Sequence, residues 1–109
     1  MKTEVSILHH EYPPAARDFV VEKLQHLTRY FDRTHSVRAV LERQHDEHRV
    51  ELVARVRRGQ VLVVDARADS LSRAIDTSVE RMGRALVKHK DKLTRQQRRS
   101  RVSSVLGEG

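Results

Sequence analysis

The sequence has no cysteine, which excludes a disulfide scaffold, a thiolate-ligated zinc site and a thiol nucleophile. It has four glycines, at 59, 83, 107 and 109, and they form no Gly-rich loop that could cradle a phosphate. Tryptophan is absent, and the four aromatic residues (Tyr12, Phe19, Tyr30 and Phe31) all precede residue 32. Base stacking on a sheet built from later strands is therefore not available. The longest aliphatic run is Val61-Leu62-Val63-Val64, far short of the ~20 residues a membrane-spanning helix needs. No apolar stretch follows Met1-Lys2-Thr3-Glu4, so no secretory signal is read and a cytoplasmic location is expected.

What the chain does have is length for one domain and a lopsided charge. Its 109 residues carry 22 Lys+Arg against 15 Asp+Glu, a net charge of +7. Residues 73–101 hold ten basic residues against three acidic ones (Asp76, Glu80 and Asp91), and the remainder holds twelve of each. The whole net charge thus lies in one C-terminal segment. A localised positive field of this kind points to a polyanion, most simply nucleic acid.

Period-2 alternation marks four strands. The first runs through Val5, Ile7 and His9, the second through Val37, Ala39 and Leu41, the third through Val50, Leu52, Ala54 and Val56, and the fourth through Leu62, Val64, Ala66 and Ala68. Apolar residues at three- and four-residue spacing mark two helices. Ala16, Phe19, Val20, Leu24, Leu27, Tyr30 and Phe31 line one that starts at Pro13-Pro14, and Leu71, Ile75, Val79, Met82, Leu86 and Leu93 line the other, capped by Asp69 or Ser70. Polar turns at residues 44–47 and 57–60 separate the last three strands, and Gly59 is free to take a positive φ. The order β-α-β-β-β-α predicts an α+β fold. Its sheet is four-stranded and mixed, with both helices on one face and the first two strands parallel across a right-handed crossover. Residues 1–95 form the domain, and residues 96–109 are expected to be a basic, disordered tail.

At ~100° per residue, Arg81, Arg84, Lys88, Lys92 and Arg95 fall within about 80° of one another, opposite the apolar stripe of the last helix. A solvated helix face is the plain alternative. Against it, acidic residues nearly vanish after Glu80, and Lys90 falls on the apolar side between Leu86 and Leu93. Length explains the second point: residues 70–95 span roughly 39 Å as helix, whereas a seven-residue strand reaches about 23 Å. The helix must overhang its sheet and present lysines in several directions. Lys23 sits at the edge of the first helix's apolar face and is either a packed stem or a second phosphate contact.

The sequence Phe19-Val20-Val21-Glu22-Lys23-Leu24, with Leu27 and Tyr30-Phe31-Asp32-Arg33, resembles the first helix of the ribosome hibernation-promoting factor family, also called ribosome-associated inhibitor A. Ala74-Ile75-Asp76 and the run from Arg84 through Lys88-His89-Lys90-Asp91-Lys92-Leu93 look like that family's second helix. The resemblance covers about residues 4–93. It implies a domain lodged between head and body of the small ribosomal subunit, over the tRNA and mRNA sites, that inhibits translation under stress or in stationary phase. It also implies that the partners are 16S rRNA and neighbouring ribosomal proteins, with no enzyme activity, cofactor or small-molecule substrate. By matching position, Arg84, Lys88, His89, Lys90 and Lys92 become candidate rRNA contacts, with Lys23 in second place; Arg33 is either a contact or a helix-end residue. Arg81 and Arg95 join from the helical wheel. The turn from His9 to Pro14 lacks the Gly/Asn- and Thr-rich sequence common there, and the chain stops before the dimerisation domain of long members, so a short form is expected.

Two other readings compete. Double-stranded RNA-binding domains are α-β-β-β-α, but place lysines at the start of the last helix, where residues 69–77 hold only Arg73. A protein-interaction module, such as a transcription-factor modulator, would use the open sheet face with Val40, Val53 and Val63 beside Arg38, Arg55 and Arg67. Seven histidines raise a metal site, but His45 and His48 on a turn are too few ligands for zinc, and no metal is expected.

Overall fold

In the computed structural model the described residues are 2–7, 12–29, 34–56 and 59–107, the side chains of 28–29 and 93–107 excepted. His9, His10 and the Tyr30-Phe31-Asp32-Arg33 motif lie outside them, as do the side chains of Leu93 and Arg95. The element order is β1 (Lys2–Ile7), α1 (Pro14–Gln25), a 3-10 turn (His26–Arg29), β2 (Ser36–Gln44), β3 (Glu47–Arg55), β4 (Val61–Ala68) and α2 (Leu71–Gly107).

The strands form one sheet in the order β1-β2-β3-β4, with β1 parallel to β2 and the other pairs antiparallel. The β1-α1-β2 unit therefore has to cross over the sheet, which delivers α1 to one face. Val37, Ala39, Leu41, Val50, Leu52 and Ala54 point to that face and are fully buried under Val20, Leu24 and Leu27 from the α1 region and Ile75, Met82 and Leu86 from α2. Each fully buried leucine or isoleucine contributes roughly 1.5–3 kcal/mol of burial. Among the described residues no helix covers the opposite face, and Glu4, Arg38, Arg55, Val63 and Arg67 are exposed on it.

Local chemistry sets the element ends. Pro13 adopts φ −68° and ψ 160° as the residue before α1, and Pro14 takes the first helical position, where its missing N–H costs nothing. The sequence predicts one continuous first helix through Phe31. Instead it tightens into the 3-10 turn after Gln25, which keeps Leu24 and Leu27 on the same buried side. Ser70 rather than Asp69 caps α2, its Oγ accepting from the Arg73 N–H at 3.2 Å. Ser78, buried in the middle of that helix, donates its hydroxyl to the Ile75 carbonyl at 2.9 Å. The first hairpin turns at His45 with φ 56° and the second at Gly59 with φ 71°.

One expectation changes. Residues 96–107 were expected to be a disordered tail, but α2 continues through them for 37 residues in all, about 55 Å at 1.5 Å per residue. The sequence offers a reason: no proline follows Pro14, no glycine lies between Gly83 and Gly107, and Gln and Arg are good helix formers. A nine-residue strand reaches only ~30 Å. The overhang thus exceeds the sequence estimate, and the molecule measures 64 × 22 × 20 Å.

Candidate nucleic-acid interface

α2 packs on β3 and β4 through a stripe of Ala74, Ile75, Ser78, Met82, Gly83, Leu86 and His89. The ring of His89 belongs to this stripe, at 9% exposure, while Lys90 is exposed. His89, a candidate contact, is thus packed in the stripe, and Lys90, which falls beside the apolar side of the wheel, reaches solvent as the overhang predicts. The reason is geometric. The centre of the buried arc is set by Ile75, Ser78 and Met82 together; at ~100° per residue His89 lies near that centre and Lys90 about a quarter-turn away.

The remaining candidates differ in what already engages them. The Arg81 guanidinium donates to the backbone carbonyl of Asp65 on β4 at 2.7 Å, tying the helix to the sheet edge. Arg84 is exposed and pairs with Glu80 one turn earlier. Such exposed i,i+4 pairs are worth only ~0.3–0.5 kcal/mol, so a phosphate can displace Glu80. Lys23 bridges the two helices, with Nζ 3.6 Å from Asp76 and 5.5 Å from the Phe19 ring centroid. That contact supports the packed-stem role, and at this exposure a phosphate can displace Asp76 as it can Glu80. Lys88 and Lys92 are exposed, and among the described residues neither has an acidic partner.

Arg84, Lys88 and Lys92 therefore form the accessible, weakly committed part of the basic face, on the side of α2 turned away from the packed stripe and leading toward the overhang. Val87, 41% exposed, adjoins them in a shallow groove of about 330 Å³ with Glu80, Gly83, Arg84, Lys88 and Asp91. Sequence reasoning passed over Val87, although the same helical wheel puts it beside Arg84.

The open sheet face has a different character. Arg49 on β3 lies 3.8 Å from Glu42, 3.2 Å from Glu51 and 3.6 Å from Asp65, and Arg38 donates to the Ser6 hydroxyl at 3.2 Å. Basic and acidic groups interleave there, as they do not along the far end of α2. Among the described residues no group of three or more side chains could hold a metal ion, and no helix is long and apolar enough to cross a membrane. His48 of the candidate pair is taken up by a hydrogen bond between its Nδ1 and the Tyr12 hydroxyl at 2.6 Å.

Residues 3–94 match the family model described as sigma 54 modulation protein / S30EA ribosomal protein. A ribosome hibernation promoting factor of Azotobacter vinelandii is 33% identical over 98 residues, covering 89% of this chain and 91% of that one. One from Escherichia coli strain K12 is 35% identical over 83 residues, covering 76% and 86%. Among solved structures, the N-terminal domain of Thermus thermophilus Protein Y superposes with a TM-score of 0.71 at 26% identity, covering 82% of this chain and 99% of that one. A ribosomal subunit interface protein from Coxiella burnetii gives 0.75 at 16% identity, covering 84% and 99%, a likeness of fold.

Proposed function

This chain belongs to the sigma 54 modulation protein / S30EA ribosomal protein family, and from that premise we propose that it is a ribosome hibernation factor. It binds the small ribosomal subunit in the cytoplasm, contacts 16S rRNA near the tRNA and mRNA sites, and inhibits translation by occupancy rather than by catalysis. The name shared by the relatives at 33% and 35% identity supports the hibernation role.

The observation that carries the site is the presentation of Arg84, Lys88 and Lys92 on one side of a helix that outruns its sheet. Folded rRNA offers phosphates lining clefts, and a protruding basic rod about 10–12 Å across can enter where a flat face cannot. Lysine and arginine heads recognise the backbone and its shape, and no aromatic side chain on β2, β3 or β4 is placed to stack on bases. Arg81 and Lys23 hold the rod in position, Lys90 adds charge at its side, and Arg95 continues the basic row. His89 packs the rod against the fold.

A general double-stranded RNA binder fits less well. The start of α2, where such a domain concentrates lysines, has Arg73 alone, and Arg73 is 3.7 Å from Asp69. The test is addition of purified protein to an in vitro translation reaction, with sucrose-gradient fractions probed for the chain. Translation should fall as the chain comigrates with small subunits or whole ribosomes. Unchanged translation with all of the protein at the top of the gradient would reject the reading.

A further inference from the structure

β4 is an edge strand whose outer side is occupied by no other strand among the described residues. Its backbone groups can be sorted. The Val56 N–H donates to the Gln60 carbonyl at 2.9 Å, closing the β3–β4 hairpin. In an antiparallel ladder, bonded and non-bonded pairs alternate. With the observed register, Leu62, Val64 and Ala66 direct their N–H and C=O groups to β3, and Val61, Val63, Asp65 and Arg67 direct theirs outward. The Arg81 bond to the Asp65 carbonyl agrees with that assignment.

The outward-bonding residues are also those whose side chains stand on the open sheet face. Val61 is 49% exposed and Val63 58%, the two largest exposures of bulky apolar residues among the described residues. Unpaired edges of this kind are usually blunted by charge, proline or a covering element. Here such devices sit at one half of the edge, where Asp65 and Arg67 supply charge and Arg81 covers the Asp65 carbonyl. The half of the edge at Val61 and Val63 is left with two apolar side chains and open backbone donors and acceptors.

From these observations we infer that the outer edge of β4 is a docking edge for an extended, acidic strand of a partner protein, added antiparallel or parallel as a fifth strand. The backbone groups of Val61 and Val63 supply the ladder, and their side chains pack beside apolar residues of the guest on the open face. Alternate guest side chains lie on the helix side, where the flank of α2 carries Arg81 and, further along, Lys88 and Lys92; acidic residues are favoured there. A second copy of this chain is disfavoured by the same charges. Pairing β4 with its own copy would bring two basic α2 flanks to one interface.

The probe is a synthetic octapeptide of alternating valine and glutamate, titrated into the full chain and followed by fluorescence anisotropy. Binding is expected, weaker for the valine–lysine counterpart, and reduced about tenfold or more when alternate peptide amides are N-methylated on the docking side. Val63→Pro should produce a similar loss, since the Val63 N–H is not used in the β3 ladder, with far-UV circular dichroism unchanged. The N-methylated peptide tests the same point should that variant not fold. Absence of binding, or equal binding of the methylated peptide, overturns the proposal, and so does a concentration-dependent dimer of the chain that Val63→Pro abolishes.

Discussion

Two adjacent residues, His89 and Lys90, separate what holds this molecule together from what it offers to a partner. On the helical wheel they flank Leu86 and Leu93, each about 40° to one side at ~100° per residue, so those two leucines alone leave the choice between them open. Ser78 decides it. Counted as polar in the sequence, it is fully buried with its hydroxyl satisfied within the helix, and it shifts the centre of the buried arc toward His89. His89→Leu should therefore keep both the fold and ribosome association. Lys88→Ala and Lys92→Ala should leave the melting temperature unchanged and weaken rRNA binding, each lowering the slope of log affinity against log salt by about 1. Lys23→Ala belongs to the other class: it removes an interhelical pair and a cation–π contact, each worth less than about 1 kcal/mol at this exposure, and its first effect should be on thermal stability. Hydrogen-bonding roles such as that of Arg81 were not legible beforehand. The acceptor is the backbone carbonyl of Asp65, sixteen residues away, and only the packing of α2 on β4 brings it within reach.

At the level of elements, alternation and helical spacing were enough to read the order and the parallel β1–β2 pair, because the inward positions of the strands are apolar except near strand ends, at Thr3, Arg43 and His48. Ends were harder. Leu24 and Leu27 lie on the same side in an α-helix and in a 3-10 turn, so the change at Gln25 leaves no mark on the pattern. The end of α2 was missed for a different reason: residues 96–107 have no apolar stripe long enough to be read as packed, yet nothing in them breaks a helix. A chain ending after residue 95 should keep its melting temperature within about 4 °C, the shift that 1 kcal/mol gives a domain of this size, while losing ellipticity at 222 nm. At the second hairpin, Gly59→Ala places a Cβ in open space but in the left-handed region, at an expected cost of about 1–2 kcal/mol in chemical denaturation.

Taken whole, the molecule divides its charge by side. The sheet face sets Arg49 among the carboxylates of Glu42, Glu51 and Asp65, and the net +7 resides in residues 73–101, on the helix that extends beyond the core. Charges of both signs interleave on the sheet face, whereas one sign dominates the helix, which is where a polyanion is expected to be drawn. The family resemblance in the sequence supplied the ribosome, and the fold supplies the means, a rigid basic rod anchored by Ser70, Arg81 and Lys23 at its base.

The most direct test is co-sedimentation of the chain with purified small ribosomal subunits, comparing the wild type with the combined variant Arg84→Glu, Lys88→Glu, Lys92→Glu. The wild type should pellet with the subunits, and the variant should stay in the supernatant with its circular dichroism and melting temperature unchanged. Co-sedimentation of the variant at the wild-type level would contradict the assignment of the site.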